Sequence, residues 1–170
     1  MNKLTSAAVH GAIAGVMGAS CMTVLRMLAH RAGLLDQMVP QAVERWARGR
    51  KRSQTLGDLA EQHLADQVLH LGYGAAWGAA YGALTHASGK NGAAQGLGFG
   101  LVQWAFGSMV LFPALKIARP AWRAEPVELA INVGAHLLYG GVTSFLTEEF
   151  DRQKHDQPRS HLEARASRVG

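Results

Sequence analysis

Residues 67–89 read QVLHLGYGAAWGAAYGALTHASG and hold no Asp, Glu, Lys or Arg. As a helix, these 23 residues extend about 35 Å at roughly 1.5 Å per residue, enough to cross a hydrocarbon core of about 30 Å. Gly74, Gly78 and Gly82 recur every fourth residue, so one ridge of that helix is nearly bare backbone. In water such glycines weaken a helix, whereas in lipid they let a second helix come close. The stretch therefore predicts a transmembrane helix shaped for packing.

Three further windows are free of charge: residues 4–25, 91–115 and 129–147. A mean hydropathy of +0.01 conceals them, because the charges are gathered into the segments between. A soluble four-helix bundle needs charged outer faces, and these windows offer none. The sequence thus predicts an all-α, four-span transmembrane helix bundle with Gly/Ala-rich packing ridges. The spans fall at about 4–28, 64–88, 92–116 and 127–148, within a membrane domain over 1–150. A polar, disordered tail is expected over 151–170. The lone cysteine, Cys21, excludes an intrachain disulfide and reads as a small packing residue.

Gly92, Gly96 and Gly100 repeat the four-residue spacing in the third span. With the short hinge at 88–92, this predicts a hairpin in which spans two and three pack ridge to ridge. Pro113 is expected to kink the end of span three. In the first loop, 29–63, Val39, Val43 and Trp46 form an apolar stripe among Arg45, Arg48, Arg50, Lys51 and Arg52. This fits a short amphipathic helix lying in the interface, with a solvated basic loop as the alternative. Asp58 three residues after Thr55 resembles a capping box and starts a helix near Leu56.

Four spans bring both loops to one side of the membrane, which fixes the depth of the polar residues. Arg26, Asp66, His70, Lys116, Glu128, Asn132 and His136 converge in one leaflet. Three readings compete. Asp66 and Glu128 can pair with Arg26 or Lys116 while the histidines join helices. Alternatively, the group of Arg26, Asp66, His70, Glu128, Asn132 and His136 senses or relays protons, since histidine changes charge near neutral pH. A haem or metal ion on His70 and His136 is the third reading, although no metal motif accompanies them and no cofactor is predicted. No nucleophile motif or phosphate loop is present, so the role reads as non-enzymatic. The net charge of +5 suits an anionic lipid surface, and no fold signature argues for nucleic acid.

The runs HLGYGAAWGAAYG at 70–82, GLGFGLVQW at 96–104, and Glu128 followed by GAHLLYG at 134–140 resemble the YagU-like family of small bacterial inner-membrane proteins. The resemblance implies a multi-span protein of the bacterial inner membrane with no established activity, and a link to acid resistance through one member. It marks His70, Glu128 and His136 as the residues to follow. An accessory or cofactor-binding subunit of a larger membrane complex is the alternative role, and a homo-oligomer is a further expectation.

Overall fold

The structure is a computed structural model. It describes the backbone of residues 2–35, 56–116 and 121–166, leaving aside the side chains of 56–63, 65–66 and 154–166. The described residues form four helices: α1 (Lys3–Arg31), α2 (Leu56–Ser88), α3 (Ala93–Ala114) and α4 (Pro126–Ala166). A single 3-10 turn, Ala121–Arg123, precedes α4. The interfacial helix expected around Val39, Val43 and Trp46 lies outside the described residues.

Among the described residues, α1, α3 and the first 28 residues of α4 are long and apolar enough to cross a membrane. The second predicted span is not one of them. The 33-residue α2 has length to spare, but its glycines and Gln67, His70, Tyr73, Trp77 and Tyr81 keep its hydropathy low.

The burial pattern of α1 is the reverse of a water-soluble helix. Ala7, Gly11, Ala14, Gly15, Gly18 and Ala19 are buried, whereas Val9, Ile13, Met17, Val24 and Leu28 are exposed. Throughout the bundle, Thr85, Gln103, Thr143, Ser144 and Thr147 face inward while Leu, Val and Phe side chains face out. Small and polar residues inside with large apolar residues outside is the arrangement that lipid favours, because hydrocarbon solvates Leu as well as a core does. Cys21 follows this logic: it is exposed, not the packing residue expected.

The glycine ridges pair differently from the predicted hairpin. Gly74, Gly78 and Gly82 of α2 meet Ala19, Gly15, Gly11 and Ala7 of α1, not α3. A Cβ placed on Gly11 would fall 2.9 Å from the Gly82 Cα, and one on Gly15 would fall 2.9 Å from the Gly78 Cα. Gly96 and Gly100 of α3 press on Gly140, Ser144 and His136 of α4. Gly92, the third member of that predicted ridge, has open space around it. The bundle is therefore two close pairs, α1/α2 and α3/α4. Gly18 joins the pairs by lying against Tyr139 and Thr143 of α4.

Spans two and three meet through rings instead. Phe99 lies 5.5 Å from Trp77 and 4.9 Å from Tyr81, and Phe106 lies 5.7 Å from Trp77, all centroid to centroid. Bulky rings hold these two backbones apart, which explains why their glycines turn to other partners. The hinge between them is fixed by Asn91. Its Oδ1 accepts from the Tyr81 hydroxyl at 2.7 Å, from the Gly92 N–H at 2.8 Å and from Ser144 Oγ at 3.1 Å. Gly89, at φ 65, caps α2 in the left-handed region that glycine adopts without strain.

Pro113 acts one turn earlier than a simple terminal kink. Residues Phe106–Leu111 form a π turn, and the Phe112 N–H donates to Gly107 five residues back. Proline lacks an N–H and its ring crowds the preceding turn, so the extra residue in that turn accommodates it. At the other end, α4 carries on to Ala166, through the stretch expected as a disordered tail. Arg152 supports this extension by bonding Glu148 at 2.9 Å and Glu149 at 3.5 Å, one turn earlier.

The ridge pairing carries a direct test. Gly78→Ala or Gly140→Ala drives a methyl group into opposing backbone and should destabilise the bundle by about 2 kcal/mol, in the range of overpacked cores. Gly72→Ala and Gly98→Ala add the same methyl where nothing lies within 4 Å. These should be neutral or slightly stabilising in a detergent unfolding titration. Equal losses at all four positions would rule out the pairing.

Candidate functional site

One turn of α1 brings a charge into the bundle. Arg26 follows Ala19 and Met22 on the buried stripe and is 3% exposed. An arginine side chain leans toward the N-terminus of its helix, so this guanidinium points back into the core from near the end of α1. Nη1 donates to Oδ1 of Asn132 on α4. The backbone carbonyl of Asn132 accepts from Nδ1 of His136 at 2.8 Å, which fixes the proton on that nitrogen. Nε and Nη2 of Arg26 are buried with no hydrogen-bond partner.

His70 enters from α2. Its ring lies beside the Ala19 backbone of α1, within electrostatic reach of Arg26, and its Nε2 is buried without a partner. His136 in turn feels both Arg26 and His70. Glu128 acts on Arg26 from the start of α4, where its side chain is half-buried. Of the predicted site residues, Arg26, Asn132 and His136 are linked by hydrogen bonds, with His70 and Glu128 adjacent. The Asp66 side chain lies outside the described residues. Lys116 is exposed at the end of α3, with φ 57.

Tyr139 is the part of this region that spacing alone understates. It is fully buried between the helix pairs, packed with Ala19, Met22 and Ala135. Its hydroxyl donates to the Gly74 carbonyl at 2.7 Å. A phenol can reach that oxygen because Gly74 has no side chain to shield it. The signal in the sequence is the continuation of Glu128, Asn132 and His136 to Tyr139 on one face. Gln103, buried on α3 with Oε1 unpartnered, was foreseen as polar but not as part of this interior.

The described residues hold no group of three His, Cys, Asp or Glu side chains placed for a metal ion. The polar interior is a short chain of donors and acceptors around one guanidinium. It sets one buried guanidinium, with Nε and Nη2 unpaired, near two imidazoles.

The long apolar helices and inward polar residues define an α-helical integral membrane protein. Residues 5–157 match the family of unknown function DUF6789, and the chain belongs to that family. This match, not the YagU-like resemblance, is the one established; both describe uncharacterised families. No curated protein and no solved structure matches the chain.

Asn132→Ala removes the acceptor from a buried charge and should cost about 2 kcal/mol, the scale of a hydrogen bond to an ionised group. Asn132→Asp keeps the acceptor and adds an opposite charge, so it should be at least as stable as the parent. Unfolding of both variants in mixed micelles measures the difference. An Asp variant as unstable as the Ala variant would contradict the Arg26–Asn132 bond.

Proposed function

We propose that this chain is a non-enzymatic, four-span membrane protein whose polar interior responds to acid. In this reading α2 also crosses the bilayer. Its charge-free 67–89 stretch and its backbone contact with α1 support that. The YagU-like resemblance favours the bacterial inner membrane.

The observation that carries the reading is a buried guanidinium with two imidazoles, His70 and His136, in electrostatic reach. Arginine stays charged at any relevant pH, whereas imidazole ordinarily gains its proton near pH 6.5. Acid that charges either ring sets like charges together in a low-dielectric interior, and their repulsion opposes the closed bundle. The charges around the two rings come from two helices. On α1 the neighbour is Arg26 itself, and on α4 it is Glu128. Tyr73 and Tyr139 stay neutral in this range, and α3 contains no titratable side chain. Acid thus loosens the contact between the helix pairs, and that contact is the element able to report pH. Acid tolerance of the envelope is the matching physiological role.

The test is thermal unfolding of the full chain in nanodiscs between pH 7.5 and 5.5. The parent should lose several degrees of Tm on acidification, and a His70→Gln, His136→Gln double variant should lose less than half as much. An unchanged pH response in the double variant would sink the proposal.

A further inference from the structure

The geometry points to a binding site for a tetrahedral oxyanion between α1, α2 and α4, held by the Nε/Nη2 edge of Arg26 and by Nε2 of His70. An anionic phospholipid headgroup and a free inorganic oxyanion are the two sources of that chemistry. The inference goes beyond the acid response, because its main donor, the unpaired Nε/Nη2 edge of Arg26, needs no titration.

The guanidinium has one side engaged, with Nη1 on Asn132. Nε and Nη2 share another side, where two parallel N–H groups form the planar fork that takes two oxygens of one anion. Both atoms are buried and without partners, in a residue 3% exposed. Among the described residues no carboxylate pairs with Arg26, and Glu128 acts on it only at a distance. A buried guanidinium with one edge unpaired is costly, and an anion on this edge reduces that cost. The second donor comes from another helix: His70 Nε2 is buried and unpartnered as well. With Nδ1 on the Ala19 carbonyl, it donates only when the ring carries both protons, a state that a bound anion favours. Donors arriving from α1 and α2 suit a tetrahedral anion, whose oxygens point in several directions, better than a planar carboxylate.

Depth explains why a lipid is one of the two sources. Arg26 lies five residues before the end of α1 at Arg31, about 7.5 Å along the helix axis. That is the level at which a span end meets headgroup phosphates, and a phosphate entering between the helices there would meet a guanidinium turned into the bundle.

The experiment uses the full chain in nonionic detergent at a constant pH of about 7, in buffer free of phosphate and sulfate. Sulfate is titrated in one arm, dihexanoyl-phosphatidylglycerol in a second, and dihexanoyl-phosphatidylcholine in a third as the zwitterionic control. Tm and the exchange-protected arginine Nε–H resonance of the ¹⁵N-labelled parent are followed together. We expect sulfate or phosphatidylglycerol to raise Tm saturably, as a ligand of the folded state does, and to shift one protected Nε–H signal. Arg26→Lys keeps the charge but loses the two-donor edge, so its apparent affinity should fall at least tenfold. Saturation by phosphatidylglycerol alone assigns the site to lipid, and saturation by sulfate assigns it to a free anion. No change in Tm or resonance with either anion, an equal response to phosphatidylcholine, or parental affinity in Arg26→Lys would overturn the site. If the lysine variant does not fold, the resonance of the parent chain decides alone. A failure here leaves the ligand-free acid response standing, and a missing acid response leaves this result standing.

Discussion

Close approach of helix backbones is the constraint on which the rest of this molecule depends. In lipid, apolar side chains gain little by leaving hydrocarbon for a protein core, so helices are held by contact and by hydrogen bonds. Contact is greatest where side chains are absent. Gly11, Gly15, Gly74, Gly78 and Gly82 bring α1 onto α2, and Gly96, Gly100 and Gly140 bring α3 onto α4. All of these positions except Gly74, where the Ala19 Cβ is nearest at 2.7 Å, would set a Cβ inside opposing backbone atoms, so their smallness is a steric requirement of the pairing.

The pairing creates the polar interior as a consequence. With α1 flat against α2, the next turns of α1 carry Ala19, Met22 and Arg26 toward α4. There Tyr139 reaches through the bare backbone at Gly74, and Asn132 takes one hydrogen bond from Arg26. Arginine is tolerated at this depth because α4 offers it an acceptor. Along the far side, Trp77, Tyr81, Phe99 and Phe106 fill the wider gap between α2 and α3. Small residues thus set the close contacts of α1 with α2, of α3 with α4 and, at Gly18, of α1 with α4, and aromatic rings set the wider one. The polar residues lie where these surfaces meet.

Much of this was legible in the residues themselves. Long windows without charge, placed between charged segments, announce membrane helices whatever their partners. The spacing of Glu128, Asn132, His136 and Tyr139 places them on one face because a helix turns every 3.6 residues. The same rule marks Gly74, Gly78 and Gly82 as a ridge. What the spacing lacks is the identity of the surface opposite. A short hinge suggested α3 as the partner of α2, and the rings on α2 and α3 exclude that. Cys21 misled for a related reason: a small, soft residue suits a core, yet its angular position on α1 turns it outward.

The sequence by itself determined an all-α chain with membrane-crossing stretches, the ridges of small residues and the faces that carry its ionisable groups. These are properties of single helices, set by composition and by the helical period. Only the tertiary structure decided that α2 pairs with α1 and α3 with α4, that Asn132 answers Arg26, and that one edge of that arginine is buried unpaired. Those outcomes depend on which backbones come close enough to exclude side chains, a choice made jointly by residues far apart in the chain.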